Sequence, residues 1–256
     1  MLPNNKYVIV ISACIDPSNG SMKIHRHDPS IRLQDYINGL CFWLNIADER
    51  LNNIVFIENS GYPLDALEKL VRTANPLNKQ VEFISLCCNE YPEGVHYGYA
   101  ELNMIDEAFN ISKLIDESSY LIKATGRLTF PNISRLLDRL KDDFMFAVDC
   151  RNHAIFSPHP QVFTTTQLMI FSTAFYRKYL IDIKTELSKD KICIENLLYD
   201  KLTAFHGEQG AILRWSVNVD PSGYSSGLPK NYDSLKQKAL NKTRGVCRTL
   251  FPNWWI

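Results

Sequence analysis

Uninterrupted apolar runs recur through the first half of the chain. Residues 6–14 read KYVIVISAC, residues 53–61 read NIVFIENSG and residues 81–87 read VEFISLC. A strand that shows no polar alternation is buried on both faces, as in a parallel sheet covered by helices. Residues 119–126 (SYLIKATG) and 144–151 (FMFAVDCR) continue the pattern. We therefore predict five core strands before residue 152.

Segments with helical spacing separate these strands. In residues 31–45 the apolar positions Leu33, Ile37, Leu40 and Leu44 share one side of a helix. Residues 64–74, 98–112 and 132–140 are also predicted to be helical. This alternation predicts an α/β fold with one Rossmann-like, mostly parallel sheet and helices on both faces. In such a sheet a ligand binds beyond the carboxyl ends of the strands.

The second half of the chain departs from this alternation. Residues 161–180 predict one or two strands leading into a short helix, and residues 191–205 predict another helix. We expect one α/β domain over residues 1–228 with an elaborated C-terminal third, followed by a basic and aromatic tail over residues 229–256. The tail ends in Trp254 and Trp255, and its charged residues are Lys230, Asp233, Lys236, Lys238, Lys242, Arg244 and Arg248.

Charge and cysteine content limit the classes of function. The chain has 28 basic and 28 acidic residues, so no net charge draws it to nucleic acid. Its seven cysteines form no CxxC pair, which is typical of a reducing compartment, so we expect a cytoplasmic protein. No apolar run reaches the length of a membrane span. The basic tail leaves two alternatives open: peripheral contact with the inner face of the cytoplasmic membrane, or packing on the domain.

Polar residues cluster where the predicted strands end. In LIKATGRLTF (121–130), side chains alternate along the strand, so Lys123, Thr125 and Arg127 are expected on one face. Two cations and a hydroxyl at this place favour an anion site, and a phosphate is the anion we expect. The other polar residues at strand ends are Ser12, Glu58, Asn59 and Asp149.

Several nucleotide and metalloprotease motifs are absent from the sequence: GxxxxGK[ST], GxGxxG and HExxH. Anion-binding groups beside carboxylates suit the transfer of a sugar from a phosphate-activated donor. In that chemistry Lys123 and Arg127 stabilise the departing phosphate, and Asp149, Glu58 or Glu101 takes a proton from the acceptor hydroxyl. Structural roles for these carboxylates stay open. Glu58 precedes a turn and can stabilise it, and Glu101 lies in the first turn of a predicted helix, where the helix dipole favours a carboxylate.

Four short stretches resemble a known family. IVFIENSGY (54–62), GYAE (98–101), IKATGR (122–127) and TQLMIF (166–171) are similar to the small bacterial glycosyltransferases of O-antigen and capsule polysaccharide clusters. The resemblance covers roughly the first 180 residues. It implies a GT-A-like fold, a nucleotide-sugar donor, and a growing cell-surface polysaccharide or lipid-linked saccharide as acceptor.

One departure from that family concerns the metal. GT-A enzymes usually carry Asp-x-Asp where this chain has Lys123-Ala-Thr-Gly-Arg127. The resemblance thus implies that fixed cations replace Mg²⁺ or Mn²⁺ on the donor phosphate, with Asp149 as the remaining carboxylate if a metal binds. We predict Asp149 and Glu58 as catalytic residues. The predicted donor-binding residues are Ser12, Asn59, Tyr99, Glu101, Lys123, Thr125 and Arg127.

Two alternatives to a nucleotide-sugar transferase remain open at this stage. A transferase that uses phosphoribosyl pyrophosphate needs the same cationic strand ends, because its donor also carries a pyrophosphate. A non-catalytic sugar- or nucleotide-binding component of a polysaccharide assembly complex is compatible with the missing Asp-x-Asp. Turnover of any donor separates this last hypothesis from the other two.

Overall fold

Nine strands form in the part of the chain that the computed structural model describes, which is residues 6–18, 24–141, 143–152, 161–187, 193–225, 229–251 and 254–255. Seven of them make one sheet in the order β3-β2-β1-β4-β8-β5-β9, and β6 pairs with β7 in a separate two-stranded sheet. The strands are β1 (Tyr7–Ala13), β2 (Asn53–Glu58), β3 (Gln80–Ser85), β4 (Tyr120–Thr125), β5 (Phe146–Ala147), β6 (Cys150–Asn152), β7 (Val162–Thr164), β8 (Leu168–Ser172) and β9 (Ala211–Ile212).

The first four strands are mutually parallel, whereas β8 runs antiparallel to both β4 and β5. The helices of the described chain cover both faces of this sheet. They are α1 (Pro29–Asn45), α2 (Asp65–Thr73), α3 (Gly98–Ile111), α4 (Lys113–Glu117), α5 (Ile133–Leu137), α6 (Thr173–Tyr179), α7 (Ile194–Thr203) and α8 (Leu235–Leu250), with 3-10 turns at Glu49–Leu51 and Ile183–Glu186.

Strand β1 lies at the centre of the hydrophobic core. Ile9 and Ile11 pack into the cluster on the α1 side of the sheet, and Val8 and Val10 pack into the cluster on the α3 side. Alternate residues of the same strand thus meet two different helical layers, which explains why the sequence shows no polar alternation here. The predicted α/β fold, with its mostly parallel sheet and covered faces, is confirmed.

One predicted strand is wrong in its extent. Residues 144–151 do not form a single strand, because only Phe146 and Ala147 join the main sheet and Cys150 begins a strand of the small sheet. The chain leaves the main sheet at Val148 and Asp149. Asp149 is buried between arginine side chains there, and this ion pairing fixes the point at which the strand breaks.

Helix α1 makes an unusually close backbone contact with the turn that follows β4. A Cβ atom added to Gly39 would lie 1.9 Å from the carbonyl oxygen of Gly126. Only glycine fits here unless α1 and the turn move apart. The contact fixes the position of the turn that carries Arg127.

Replacing Gly39 by alanine should destabilise the fold by about 1–3 kcal/mol, because the added methyl group forces α1 away from the turn. Chemical denaturation of the variant measures this loss. Gly245→Ala is the matched control, since its added Cβ would meet only the Asn218 Cβ, at 4.0 Å, inside a helix that alanine favours. Equal stability of the two variants would contradict the close packing of α1.

Candidate active site

A cavity of about 390 Å³ opens at the carboxyl ends of the parallel strands. Ser12 at the end of β1, Asn59 just after β2 and Thr125 at the end of β4 all line it. Their strands are neighbours, and the register pairs Ser12 directly with Thr125. The carboxyl ends of the first, second and fourth strands thus meet in one cleft, where a parallel sheet binds its ligand. We refer to this space as the strand-end cavity.

The walls of the strand-end cavity differ in character. Near β1 and β2 the lining side chains are largely uncharged, and they include Cys14, Tyr36, Asn59, Asn89 and Tyr91. Arg32 also lies on this side, but its guanidinium is already used by the carbonyl oxygens of Cys14 and Arg26. The lining also contains a charged set of residues: Glu101, Arg127, Glu195 and Lys230. We refer to these two sets of lining residues as the neutral half and the charged half of the cavity.

An unpaired amide oxygen lies in the neutral half. Asn59 is almost fully buried, and its side-chain oxygen finds no hydrogen-bond partner within the described part of the chain. A buried acceptor without a donor costs free energy, so this oxygen is ready for an N–H or O–H group of a ligand. The donor-binding role predicted for Asn59 is compatible with this position.

Glu101 is held in place by a buried network at the base of the cavity. Its Oε1 lies 2.6 Å from the Lys123 ammonium and accepts a hydrogen bond from the Ser12 hydroxyl at 3.0 Å. The side chain is 21% exposed, and its second carboxylate oxygen has no partner among the described residues. One oxygen is thus fixed by the protein and the other remains available to a ligand hydroxyl. The network orients Glu101 before any ligand arrives.

Lys123 differs from its predicted role. Its side chain is only 1% exposed, and its ammonium contacts Glu101, the Thr166 carbonyl oxygen at 2.6 Å and the Thr125 hydroxyl at 3.4 Å. These three partners use the three N–H donors of the ammonium. Lys123 therefore does not reach the cavity to bind a phosphate, and the structure places it instead as the counter-ion of Glu101.

Arg127 does line the cavity. One guanidinium nitrogen donates to the Tyr224 carbonyl oxygen at 2.8 Å, and Nε is buried without a partner in the described part of the chain. The guanidinium is thus positioned by the C-terminal segment and keeps free donors. Lys230 belongs to the same segment and adds a second cation to the charged half. A pair of cations is present as predicted, but it consists of Arg127 and Lys230 rather than Arg127 and Lys123.

Glu195 is a site residue that the sequence analysis did not select. It lies in the first turn of α7, and its Oε1 accepts a hydrogen bond from the Thr166 hydroxyl at 3.3 Å. Within the described chain it forms no salt bridge with a lysine or arginine. An acidic residue in the first turn of a helix is common, so the sequence alone gave no reason to prefer it.

Three charged residues of the cavity affect the pKa of Tyr97. Burial raises the pKa of Tyr97, the negative charges of Glu195 and Glu101 raise it further, and the positive charge of Arg127 opposes them. The starts of α3 and α7 also pack closely, since a Cβ on Gly98 would lie 2.6 Å from the Ile194 Cβ. The charges of Glu101, Glu195 and Arg127 thus all act on the phenol of Tyr97.

Glu58 and Tyr99 lie outside the cavity lining, contrary to prediction. The buried Glu58 carboxylate accepts hydrogen bonds from the backbone N–H groups of Ile15, Ser60 and Tyr62. Its oxygens hold the turn after β2 and are not available as a base, because solvent and ligand cannot reach them. Tyr99 points to the other side of α3 and packs against the hydrophobic core, so that Tyr97 takes the cavity-facing position.

Asp149 also lies outside the cavity lining. Arg248 contacts both of its oxygens, at 2.5 and 2.7 Å, and Arg151 contacts one of them at 2.8 Å. Burial alone would raise the pKa of Asp149, but the charges of Arg151 and Arg248 outweigh it and hold the pKa below its usual value. A buried carboxylate that is tied to two guanidinium groups does not suit a general base.

The same surroundings make Asp149 a poor metal ligand, because two adjacent guanidinium groups repel a cation. In the described part of the chain, no group of three or more His, Cys, Asp or Glu residues is arranged to hold a metal ion. The residues present here do not fit the Mg²⁺ or Mn²⁺ site that Asp149 was expected to supply.

No protein-family model matches the sequence, and no curated protein matches it either. Solved structures do resemble the fold. The mannosyltransferase Ktr4p of S. cerevisiae superposes with a TM-score of 0.50 at 9% identity, over 92% of this chain and 76% of that one. The inositol-1-phosphate CTP transferase of T. maritima gives 0.49 at 11% identity, over 94% and 97%. The galactosyltransferase LgtC, solved with donor and acceptor sugar analogs, gives 0.47 at 13% identity, over 80% and 72%.

These likenesses concern the fold, because all three identities lie far below the level at which function is shared. Of the three, Ktr4p superposes with the highest TM-score and covers 92% of this chain. The mostly parallel sheet with helices on both faces is thus a GT-A-like fold, as the sequence analysis predicted.

Proposed function

We propose that this protein is a glycosyltransferase that takes a sugar from a nucleotide-sugar donor and transfers it to a hydroxyl group of a saccharide acceptor. The observation that carries the proposal is the division of the strand-end cavity into a neutral half and a charged half. A nucleotide sugar has the same division, since its base is neutral and its diphosphate is charged. Ktr4p, which shares the fold, is itself a mannosyltransferase.

The neutral half suits the nucleoside. The unpaired oxygen of Asn59 accepts an N–H or O–H group of the base or ribose, and the ring of Tyr91 offers apolar surface. In folds of this kind the ligand lies across the carboxyl ends of the first strands. The diphosphate then extends towards Arg127 and Lys230.

The charged half suits the transfer step. Arg127 and Lys230 stabilise the negative charge that develops on the departing diphosphate. Glu195 accepts the proton of the acceptor hydroxyl, whose oxygen forms a bond to the anomeric carbon as the bond from that carbon to the phosphate oxygen breaks. Glu101, fixed by Lys123 and Ser12, holds the hydroxyl groups of the transferred sugar with its free oxygen.

The proposal also specifies the kind of saccharide that accepts the sugar. The four stretches that resemble glycosyltransferases of O-antigen and capsule clusters favour a growing cell-surface polysaccharide or a lipid-linked saccharide. The TQLMIF stretch supplies Thr166 and Gln167 to the cavity, beside the carboxylate assigned as the base.

Binding of nucleoside diphosphates tests the donor half of the proposal. A ligand present at 100 times its Kd adds about 2.7 kcal/mol to the free energy of unfolding, which is roughly 5–10 °C in Tm for a chain of this size. We expect such a shift with one nucleoside diphosphate, and we expect Arg127→Ala to lose most of it. The thermal shift is measured for a panel of nucleoside diphosphates and nucleotide sugars.

Arg72→Ala is the matched control, because Arg72 is an exposed helix arginine that pairs with Glu68 four residues earlier. It should keep the full shift. A protein that binds no nucleotide but is stabilised by phosphoribosyl pyrophosphate would redirect the proposal to that donor. A nucleotide sugar that binds without release of its nucleoside diphosphate, with any acceptor or with water, would favour a non-catalytic binding protein.

A further inference from the structure

The polarity of α8 is inverted relative to an ordinary surface helix. Its buried residues are Asn241 and Arg248, whereas Leu235, Val246 and Leu250 are 87%, 52% and 64% exposed. A surface helix normally turns its apolar side to the core. Of the eleven large hydrophobic residues that are exposed in the described chain, five belong to residues 235–251. Nearly half of these exposed apolar residues therefore lie on α8 or directly after it.

Polar contacts explain how α8 holds this orientation. Arg248 pairs with Asp149 and donates to the Trp215 carbonyl oxygen at 3.2 Å. The Asn218 amide donates to the Asn241 carbonyl oxygen at 3.2 Å. These bonds fix the polar side of the helix against the domain, so its apolar side cannot rotate inward without breaking a buried ion pair.

The outward side of α8 combines an apolar stripe with positive charge. Leu235, Val246 and Leu250 are spaced by 11 and 4 residues, which places them on one side of a helix. The exposed side chains of Lys236, Lys238 and Lys242 flank this stripe, and residues 235–250 contain no Asp or Glu. We refer to the stripe and its three lysines as the α8 face.

We propose that the α8 face binds an anionic membrane surface. An apolar stripe bordered by lysines is the arrangement of a helix that lies in the plane of a bilayer, with its apolar side among the acyl chains and its cations at the lipid phosphates. Long lysine side chains reach the headgroup level while their methylene groups stay on the apolar side. The proposal does not depend on the transferase assignment, because membrane binding is measured without substrate.

No helix in the described part of the chain has the length and apolar character needed to cross a bilayer.

The positive charge of the α8 face favours binding to lipid over binding to a second copy of the chain. Two α8 faces packed against each other would bring six lysines together with no carboxylate of the helix to offset them. An anionic lipid surface removes that repulsion and adds attraction. The segment that enters α8 also lines the strand-end cavity through Lys230 and Tyr232.

Co-sedimentation of the full chain with vesicles tests the proposal. We expect binding to vesicles of phosphatidylcholine that contain phosphatidylglycerol, little binding to phosphatidylcholine alone, and loss of binding as salt is added. Val246→Glu should weaken binding by about tenfold or more, because it puts a carboxylate in the middle of the apolar stripe. Replacing Lys236, Lys238 and Lys242 together by glutamine should weaken it by at least as much.

Ile111→Glu is the matched control, since Ile111 is 52% exposed at the end of α3. It should bind the vesicles as the unaltered protein does, and all variants should keep the same Tm. The proposal is overturned if the protein ignores anionic vesicles, or if Val246→Glu and Ile111→Glu behave alike. It is also overturned if the protein sediments as a dimer that Val246→Glu dissociates and that shows no vesicle binding.

Discussion

Glu195→Gln should lower kcat by roughly 10²–10⁴-fold while the protein still binds its donor. A positioned general base contributes about that factor, and glutamine keeps the shape and the hydrogen bond from Thr166 but cannot accept the proton. Because Glu195 acts on the acceptor hydroxyl in our proposal, the donor Kd should change little. Steady-state kinetics with the donor identified by thermal shift, together with a direct binding measurement, separates the two effects.

Glu101→Gln provides the comparison within the site. It removes the charge that balances the buried Lys123 ammonium, so this variant should lose donor affinity and stability as well as kcat. Glu93→Gln, on the exposed loop before α3, should retain normal kinetics. If Glu195→Gln keeps its activity and Glu101→Gln does not, the base is Glu101 and the roles we assign to the two carboxylates are reversed.

Arg248→Ala should cost about 3 kcal/mol of folding free energy, or roughly 10 °C in Tm. Removing one partner of a buried ion pair leaves the other charge buried without compensation, which typically costs about 3–5 kcal/mol. The remaining contact between Asp149 and Arg151 keeps the loss at the lower end of this range. Because the pKa of Asp149 is lowered in the folded protein, the stabilisation is complete at neutral pH and is lost as the pH falls below about 4.

Arg177→Ala is the control for this prediction. Arg177 pairs with Asp116 at the surface, where both side chains remain substantially exposed. An exposed pair contributes about 0–1 kcal/mol, so this variant should unfold almost as the unaltered protein does. Similar losses in the two variants, measured by urea denaturation, would mean that α8 is not anchored through Asp149.

The parallel half of the sheet followed from the sequence because each of its strands carries its own signal. In β1, for example, Ile9 and Val10 belong to opposite core clusters. Consecutive residues are therefore both apolar, and this pattern indicates burial on both faces. The turn after β4 was also predictable, since Gly126 and the polar residues around it interrupt an apolar run. These local patterns were enough to select Ser12, Asn59, Thr125 and Arg127, which all line one cavity.

The partners of the charged residues did not follow from the sequence. Lys123 and Arg127 carry similar signals, yet one is neutralised by Glu101 and the other retains free donors. What distinguishes them is the packing of α3 against the sheet, which no local pattern encodes. The role of Asp149 was also predicted wrongly. Its partner Arg248 lies 99 residues further along the chain, so no local pattern links the two.

Helix α8 was missed for a different reason. Its buried side is polar and its exposed side is apolar, so the usual relation between hydrophobic spacing and burial does not hold. The predicted boundary between a domain at 1–228 and a tail at 229–256 stays a prediction, and residue 228 itself lies outside the described residues. The ion pair between Arg248 and Asp149 nevertheless ties the two predicted parts together.

The distance between Asp149 and Arg248 along the chain affects how the protein folds during synthesis. A ribosome that adds about 5–20 residues per second needs roughly 5–20 s to pass from one residue to the other, which are 99 positions apart. Throughout that interval Asp149 lacks Arg248, and only Arg151, two residues further along, can pair with its carboxylate. We therefore expect β1 to β4 to assemble early on the ribosome, and the region around Asp149 to remain open to chaperones until α8 has emerged.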